Sequence, residues 1–335
     1  MHKALKKCKR NVGWKDSVIR YNKNSLRNCY RLHEQLLNDS YTIDGYTHFQ
    51  VFEPKTRNVA STRFKDRTVQ RCLCDVYLTK QITKGFIYDN CACQEGKGTT
   101  FARKRLKTHL SRYFRKYGKD GYVLKCDLTN FFGSTPHKVA KQAMKKRIDD
   151  PWAYQMVADI IDSYNEGLNP EVGIGLGSQV TQLIELAILD DLDHFIKEQL
   201  HIKHYVRYND DFILIHPNKQ YLQECKSIID EKITDLGLKL NSKKTQLFPL
   251  SQPIKFLGFA FRLTNTGKIL MTILPNKVTH ERKKLKGLKR RYDQGYMTKD
   301  DVDMCFQSWR AHAEQGNNYK VIQNMTKYYK SLWEE

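Results

Sequence analysis

Apolar residues recur at helical spacing at Val69, Leu73, Val76 and Tyr77, which predicts a helix through about Thr79 with Asp66 as its cap. Positions 122–127, Tyr-Val-Leu-Lys-Cys-Asp, read instead as a strand that ends on a carboxylate. Thr135 followed by Pro136 is an N-cap and first-turn pair for a helix through about Ile148. From about Thr181 the residues Leu183, Ile184, Ala187, Ile188, Leu192, Phe195 and Ile196 keep a helical period, predicting one long core-facing helix. Two short apolar runs, 205–208 and 212–215, flank Asn209-Asp210 and predict a β-hairpin. A helix over 220–236 should then close on Gly237, followed by strands around 238–248 and 254–263. After Pro275 the pattern is helical to the end with Lys-rich faces, and the opening segment through about Leu37 is basic and helical. Helices alternating with mainly antiparallel strands make an α+β fold.

The 335 residues allow a multi-lobed unit or two domains, and neither a repeat nor a low-complexity linker divides them. Charge changes the picture more. Lys and Arg number 58 against 36 Asp and Glu, a formal net charge of +22, and the basic residues recur along the whole chain interleaved with Tyr and Phe. That is the footprint of a nucleic-acid partner. No run approaches the apolar length of a membrane span, and the charges of Met1 to Lys7 lead into no apolar core, so a cytoplasmic location without membrane association is expected. The nine cysteines are odd in number and scattered, which fits reduced thiols. Cys72/Cys74 and Cys91/Cys93 are C-x-C pairs without histidine at ligand spacing, so zinc is not expected.

The candidate chemistry is carboxylate. A strand-end Asp127 and a hairpin-turn Asp210-Asp211, if carried on neighbouring strands, present three acids at one place. Adjacent carboxylates between apolar runs repel unless a cation joins them. Two divalent ions held about 3.5–4 Å apart are what nucleotidyl transfer requires, to activate a 3′-hydroxyl and neutralise the phosphate. Oxygen ligands suit Mg²⁺. The bland alternative is that Asn209-Asp210 is an ordinary turn.

The sequence around these acids is more specific. The residues Arg207-Tyr208-Asn209-Asp210-Asp211-Phe212-Ile213-Leu214 resemble the Y-x-D-D hairpin of reverse transcriptases, and Lys125-Cys126-Asp127-Leu128-Thr129-Asn130-Phe131-Phe132 resemble that family's first carboxylate motif. The resemblance runs from about Phe49 to the C-terminus. It implies an RNA-directed DNA polymerase of right-hand architecture: a basic helical N-terminal extension over 1–45, fingers and an antiparallel-sheet palm over 46–270, and a helical thumb over 271–335. It implies an RNA template, a DNA or RNA primer and dNTPs. Two Mg²⁺ ions, with Mn²⁺ as a substitute, would be held by Asp127, Asp210, Asp211 and the carbonyl of Leu128.

Further blocks extend the resemblance. Lys55 and Arg57 alternate in an extended run that looks like the fingers segment touching the incoming triphosphate. Lys97 lies in a basic Gly-containing turn that resembles a template contact. Phe132 stands where the family places an aromatic gate against the 2′-hydroxyl, a core phenylalanine being the alternative. The loop carrying Leu176, Gly177, Thr181 and Gln182 resembles the Gly-rich segment beside the nascent pair, with Leu176 toward the nucleotide and Thr181 as N-cap. Tyr208 belongs to the hairpin motif, and Leu257 and Gly258 fall in a block similar to the primer grip. Lys244 matches a lysine able to protonate departing pyrophosphate, with a solvated strand lysine as the alternative. Lys283, Lys284, Lys286, Lys289, Arg290 and Arg291 would track phosphates from the thumb.

Within the family, Leu176-Gly177-Ser178-Gln179-Val180-Thr181-Gln182 is most similar to the bacterial and phage enzymes of diversity-generating retroelements, departing at Thr181 where those have Ser. Such enzymes work with a small basic accessory protein. Defence-associated, retron and group II-like enzymes, which use a structured non-coding RNA, share the same core. A non-catalytic RNA-binding scaffold is the reading from another class.

Overall fold

The computed structural model describes residues 1–52, 56–164, 169–175 and 177–334. These form two compact units. The first comprises Met1–Ala102, Lys125–Leu214 and Gln223–Gln246, and the second Arg103–Leu124, Ile215–Leu222 and Leu247–Glu335.

The first unit opens with helices α1 (His2–Cys8), α2 (Asp16–Lys23) and α3 (Ser25–Leu37), then an antiparallel hairpin of β1 (Tyr46–Val51) and β2 (Arg57–Thr62). Leu5, Val18 and Cys29 bury against Phe64 at the start of α4 (Phe64–Leu73), so each opening helix spends its apolar stripe on one small core. A π-helical turn, Cys74–Leu78, continues α4 into α5 (Thr79–Thr83). Asp66 does not cap this helix. The N-cap is Arg63, and Asp66 is fully buried inside the first turn, where its carboxylate accepts from the Tyr41 hydroxyl at 2.7 Å and the Asp44 amide at 2.9 Å.

Helix α6 (Thr99–Tyr117) leads into β3 (Tyr122–Cys126), the short α7 (Phe131–Ser134), α8 (His137–Lys145) and α9 (Pro151–Asp162). Pro136, not Thr135, is the N-cap of α8, because the Thr135 hydroxyl is committed backward to the Phe131 carbonyl at 2.8 Å. The long helix expected from Thr181 begins earlier and breaks: α10 (Gln179–Ile188), α11 (Asp190–His194) and a π-helical turn, Phe195–Gln199. Ser178 caps α10, its hydroxyl oxygen accepting from the Val180 amide at 3.1 Å while donating to Gln70 Oε1 at 2.5 Å. Thr181 sits inside the helix, its hydroxyl donating to the Ser178 carbonyl.

Strands β4 (His204–Tyr208) and β5 (Asp211–His216) form the expected hairpin, and α12 (Lys219–Asp235) ends before Gly237, whose φ of +70° suits a left-handed cap. The sheet order is β4-β5-β3-β6, with β6 only Gln246–Pro249. Residues 238–245, expected as strand, make only a single bridge at Leu240 before a turn at 242–244. The Asn241 side chain accepts from the amides of Lys243 and Lys244 at 3.1 and 3.2 Å, which curls the chain away from extended geometry. Cys126, Leu183, Ile184, Phe212, Ile213, Ile229 and Ile233 are fully buried in this first unit.

In the second unit, residues 254–263 are a hairpin rather than one strand: β7 (Ile254–Phe256) and β8 (Phe259–Leu263), joined by β9 (Ile269–Ile273) into an antiparallel sheet. The turn between β7 and β8 is Leu257-Gly258, with φ of +46° and +86°. Helices α13 (Pro275–Asp293), α14 (Lys299–Ala313) and α15 (Tyr319–Ser331) complete the chain. They share the buried side chains Leu285, Val302, Phe306 and Met325, with Phe306 stacked on Tyr329 at 4.3 Å. Thr298 and Asp301 form a capping box at the start of α14. No described helix is long and apolar enough to cross a membrane.

Candidate active site

Asp127 directly follows β3, and Asp210-Asp211 form the turn and first residue of β5, the strand beside β3. The two ends meet. Lys125 Nζ lies 3.1 Å from Asp211 Oδ2, and strand alternation puts Lys125 on the same face as Asp127. Burial pushes the Asp211 carboxyl up to about 6; Lys125 opposes the shift, while the charges of Asp127 and Asp210 add to it. Asp211 therefore feels the charges of both other acids.

Asp127 is 8% exposed and held at both its backbone and its side chain. Its carbonyl accepts from the Asn241 amide at 2.7 Å, and Thr129 donates to the Lys239 carbonyl at 2.9 Å, an antiparallel bridge centred on Leu128 and Leu240. That pairing uses the Asp127 carbonyl and the Thr129 amide, so it leaves the Leu128 carbonyl outside the bridge. The Asn241 turn also brings Lys244, whose Nζ donates to Asp127 Oδ1 at 2.6 Å. Lys244 was expected on a strand and stands on this turn instead.

The site can be tested for its fit to divalent cations. Among the described residues, no group of three or more His, Cys, Asp or Glu side chains is placed to hold a metal ion. The positive charge facing the acids is that of Lys244 and Lys125. Yet Asp211 Oδ1 is buried with no hydrogen-bond partner, an arrangement that is costly unless something positive or donating reaches it. The oxygen-only donor set and this orphaned atom fit a hard divalent cation.

The other expected residues divide. Lys55, Leu176 and the side chain of Arg57 lie outside the described residues. Phe132 is half-buried beside a Phe131 that is 3% exposed, so Phe131 takes the core position. Gly177 has φ of +102° and open space where a side chain would stand. Thr181 is buried and Gln182 half-buried on α10, and Tyr208 ends β4 half-buried. Lys97 is turned inward, donating to the carbonyls of Tyr88 and Asn90 at 3.1 and 2.9 Å and lying over the Tyr88 and Phe101 rings. It anchors its own loop rather than projecting from it. Leu257 and Gly258 form the β7-β8 turn. On α13 Lys283, Lys284, Lys286, Arg290 and Arg291 are exposed, whereas Lys289 pairs with Asp293 at 2.5 Å.

Residues 53–261, well over half of the chain, match the family described as reverse transcriptase (RNA-dependent DNA polymerase). The chain belongs to the reverse transcriptase family. Solved structures of similar fold include apo telomerase from Candida tropicalis truncated from its C-terminal domain, with a TM-score of 0.52 and 12% identity, covering 68% of this chain and 54% of that one. Another is telomerase from Candida albicans in complex with a TWJ fragment of telomeric RNA, at TM-score 0.52 and 11% identity, covering 86% and 54%. The full apo telomerase of Candida tropicalis matches at TM-score 0.51 and 10% identity, over 68% and 48%. This chain thus spans about half the length of those telomerases and shares with them the right-hand polymerase fold. No curated protein matches the chain.

Four side chains at this site were not anticipated. Lys125 was legible as the residue two before Asp127 on one strand face. Glu185, inside the apolar run Leu183-Ile184-Glu185-Leu186, is 1% exposed with neither carboxyl oxygen hydrogen-bonded, and burial, reinforced by Asp210, pushes it up to about 9. Arg207 is a charge in an apolar run, and a buried charge must find a partner, which Asp193 supplies from the acidic stretch 190–193.

Proposed function

We propose that this reverse transcriptase makes cDNA from an RNA template by metal-assisted nucleotidyl transfer, with Asp127, Asp210 and Asp211 as the catalytic carboxylates. The observation that carries this reading is the buried, partnerless Asp211 Oδ1 at the start of the strand beside the one that leads into Asp127. Divalent ions bound there, two Mg²⁺ or Mn²⁺, would activate the primer 3′-hydroxyl and offset charge on the transferred phosphate.

The chain's own groups do the rest. Asp127 is fixed by the Asn241 turn and Asp211 by its strand, so the carboxylates are presented from rigid backbone. Leu128 offers its carbonyl beside Asp127. Lys125 and Lys244 balance the acids in the resting protein, and Lys244, released from Asp127, delivers a proton to departing pyrophosphate. Phe132 stands against a ribonucleotide 2′-hydroxyl, with Lys55, Arg57 and Leu176 toward the dNTP. Gly177, Thr181, Gln182, Tyr208, Leu257 and Gly258 line the template and primer, with Lys97 holding the neighbouring loop. In this reading residues 1–45 are an N-terminal extension, 46–270 fingers and palm, and 271–335 the thumb.

RNA is the partner the basic surface fits, and a telomerase of this fold binds a telomeric RNA fragment. The Leu176-to-Gln182 motif supports a place in a diversity-generating retroelement with a small basic accessory protein, and nine free thiols suit a reducing cytoplasm. Primer extension on poly(rA)/oligo(dT) tests the activity. Mg²⁺-dependent synthesis by wild type, lost in Asp210→Ala plus Asp211→Ala, is expected. RNA binding without synthesis would favour a scaffold.

A further inference from the structure

Directly before the Asn209-Asp210 turn, three polar side chains are shut off from solvent: Asp193 on α11, and Tyr205 and Arg207 on β4, each 0% exposed. The Arg207 guanidinium grips Asp193 with both arms of a fork, Nε donating to Oδ1 at 2.7 Å and Nη2 to Oδ2 at 2.5 Å. The Tyr205 hydroxyl adds a third bond to Asp193 Oδ1 at 2.6 Å. Two further donors reach backbone: Nη2 to the Leu186 carbonyl at 3.2 Å, and Nη1 to the Asn209 carbonyl at 3.0 Å. Arg207's own backbone is locked as well, its amide donating to the Asp89 carbonyl at 3.0 Å and its carbonyl accepting from the Cys91 amide at 2.9 Å.

Such a pair is a poor device for stability. Taking two charges out of water costs more than their attraction reliably returns, and apolar residues of like volume usually serve as well or better. The arrangement makes sense by where its last hydrogen bond goes. Asn209 occupies the left-handed region at φ +53°, and its carbonyl belongs to the peptide joining it to Asp210. A planar guanidinium held by Asp193 on one side fixes the direction of that peptide on the other. A lysine ammonium is a single point and holds no such span.

We propose that Arg207, oriented by Asp193 and Tyr205, is a positioning residue that sets the Asn209-Asp210 peptide so that the Asp210 and Asp211 carboxylates face Asp127. The proposal rests on the assignment of those three acids as the catalytic set.

The test uses the full-length chain in two variants. Tyr205→Phe plus Asp193→Leu plus Arg207→Met replaces the buried network by apolar groups of similar size and should fold. Arg207→Lys keeps the charge on Asp193 and loses the fork. In both, amide hydrogen exchange across residues 209–211 should speed by about tenfold while the rest of β4 and β5 stays protected. For primer extension, kcat should fall by about a hundredfold in the triple variant and about tenfold in Arg207→Lys, because a misplaced reacting group lowers turnover. The KM for dTTP should change little. Wild-type exchange at the turn, or wild-type kcat in either folded variant, overturns the proposal, and Arg207→Lys decides alone should the triple variant not fold. Absence of metal-dependent synthesis in wild type would defeat the polymerase assignment instead, and the exchange comparison would still decide whether Arg207 holds the turn.

Discussion

Glu185 is a carboxyl in an environment far from the ordinary. Its folded value of about 9 lies above the usual 4.5 because burial, and then Asp210, penalise the charged form. A carboxyl raised on folding adds stability in full below its unfolded value, and that contribution is lost as pH rises through the folded one. Wild type should therefore lose thermal stability across pH 4.5–9 on account of this group, and Glu185→Gln, neutral throughout, should gain several degrees over wild type at the alkaline end. Melting curves at pH 5 and pH 9 check this; an equal difference at both would show that Glu185 is not neutral in the fold. Asp127→Asn removes the charge that Lys244 meets and should abolish synthesis while leaving RNA affinity nearly unchanged, as read by extension and filter binding. Phe132→Val should raise ribonucleotide incorporation. An unchanged dNTP-to-rNTP ratio would return Phe132 to a packing role.

Elements were legible where one periodicity ran uninterrupted. The β4-β5 hairpin, β3 ending before Asp127 and α12 before Gly237 stand where apolar spacing and a turn residue agreed. Boundaries failed where a side chain had a stronger partner elsewhere. Asp66 and Thr135 both look like caps, but Tyr41 and Asp44 take the first, and the Phe131 carbonyl takes the second. Spacing carries no trace of such long-range competition. The 254–263 run reads as continuous strand because Leu257 is apolar, although it lies at φ +46°, a conformation that costs a branched side chain about 1–2 kcal/mol. Asparagine tolerates that region better, so Leu257→Asn should raise the melting temperature of the protein, and if the turn is strained to meet the primer, the KM for primer rises as well. A lowered melting temperature would show that Leu257 packing outweighs backbone strain. The candidate site followed the same division. Its acids were readable from motif, and Lys125 from strand alternation, whereas Arg207 and Asp193 become meaningful only once distant segments are paired.

At the scale of the whole molecule, a formal charge of +22 and a run of exposed lysines and arginines on α13 support phosphate contact as the main source of the proposed RNA affinity. Binding to RNA should fall by about a thousandfold or more between 50 and 200 mM salt if six or more phosphates are neutralised. A flat response would contradict an electrostatic surface. The membership of the chain in the reverse transcriptase family and its likeness to telomerase establish the fold, but the account depends on three acids acting together. The most direct measurement is anomalous diffraction from crystals grown with Mn²⁺, primer–template and a non-hydrolysable dNTP. The account predicts anomalous peaks bonded to Asp127 and to the Asp210-Asp211 pair at once, with Lys125 and Lys244 displaced from their carboxylates. Manganese bound elsewhere, or Asp127 still paired only with Lys244, would contradict it.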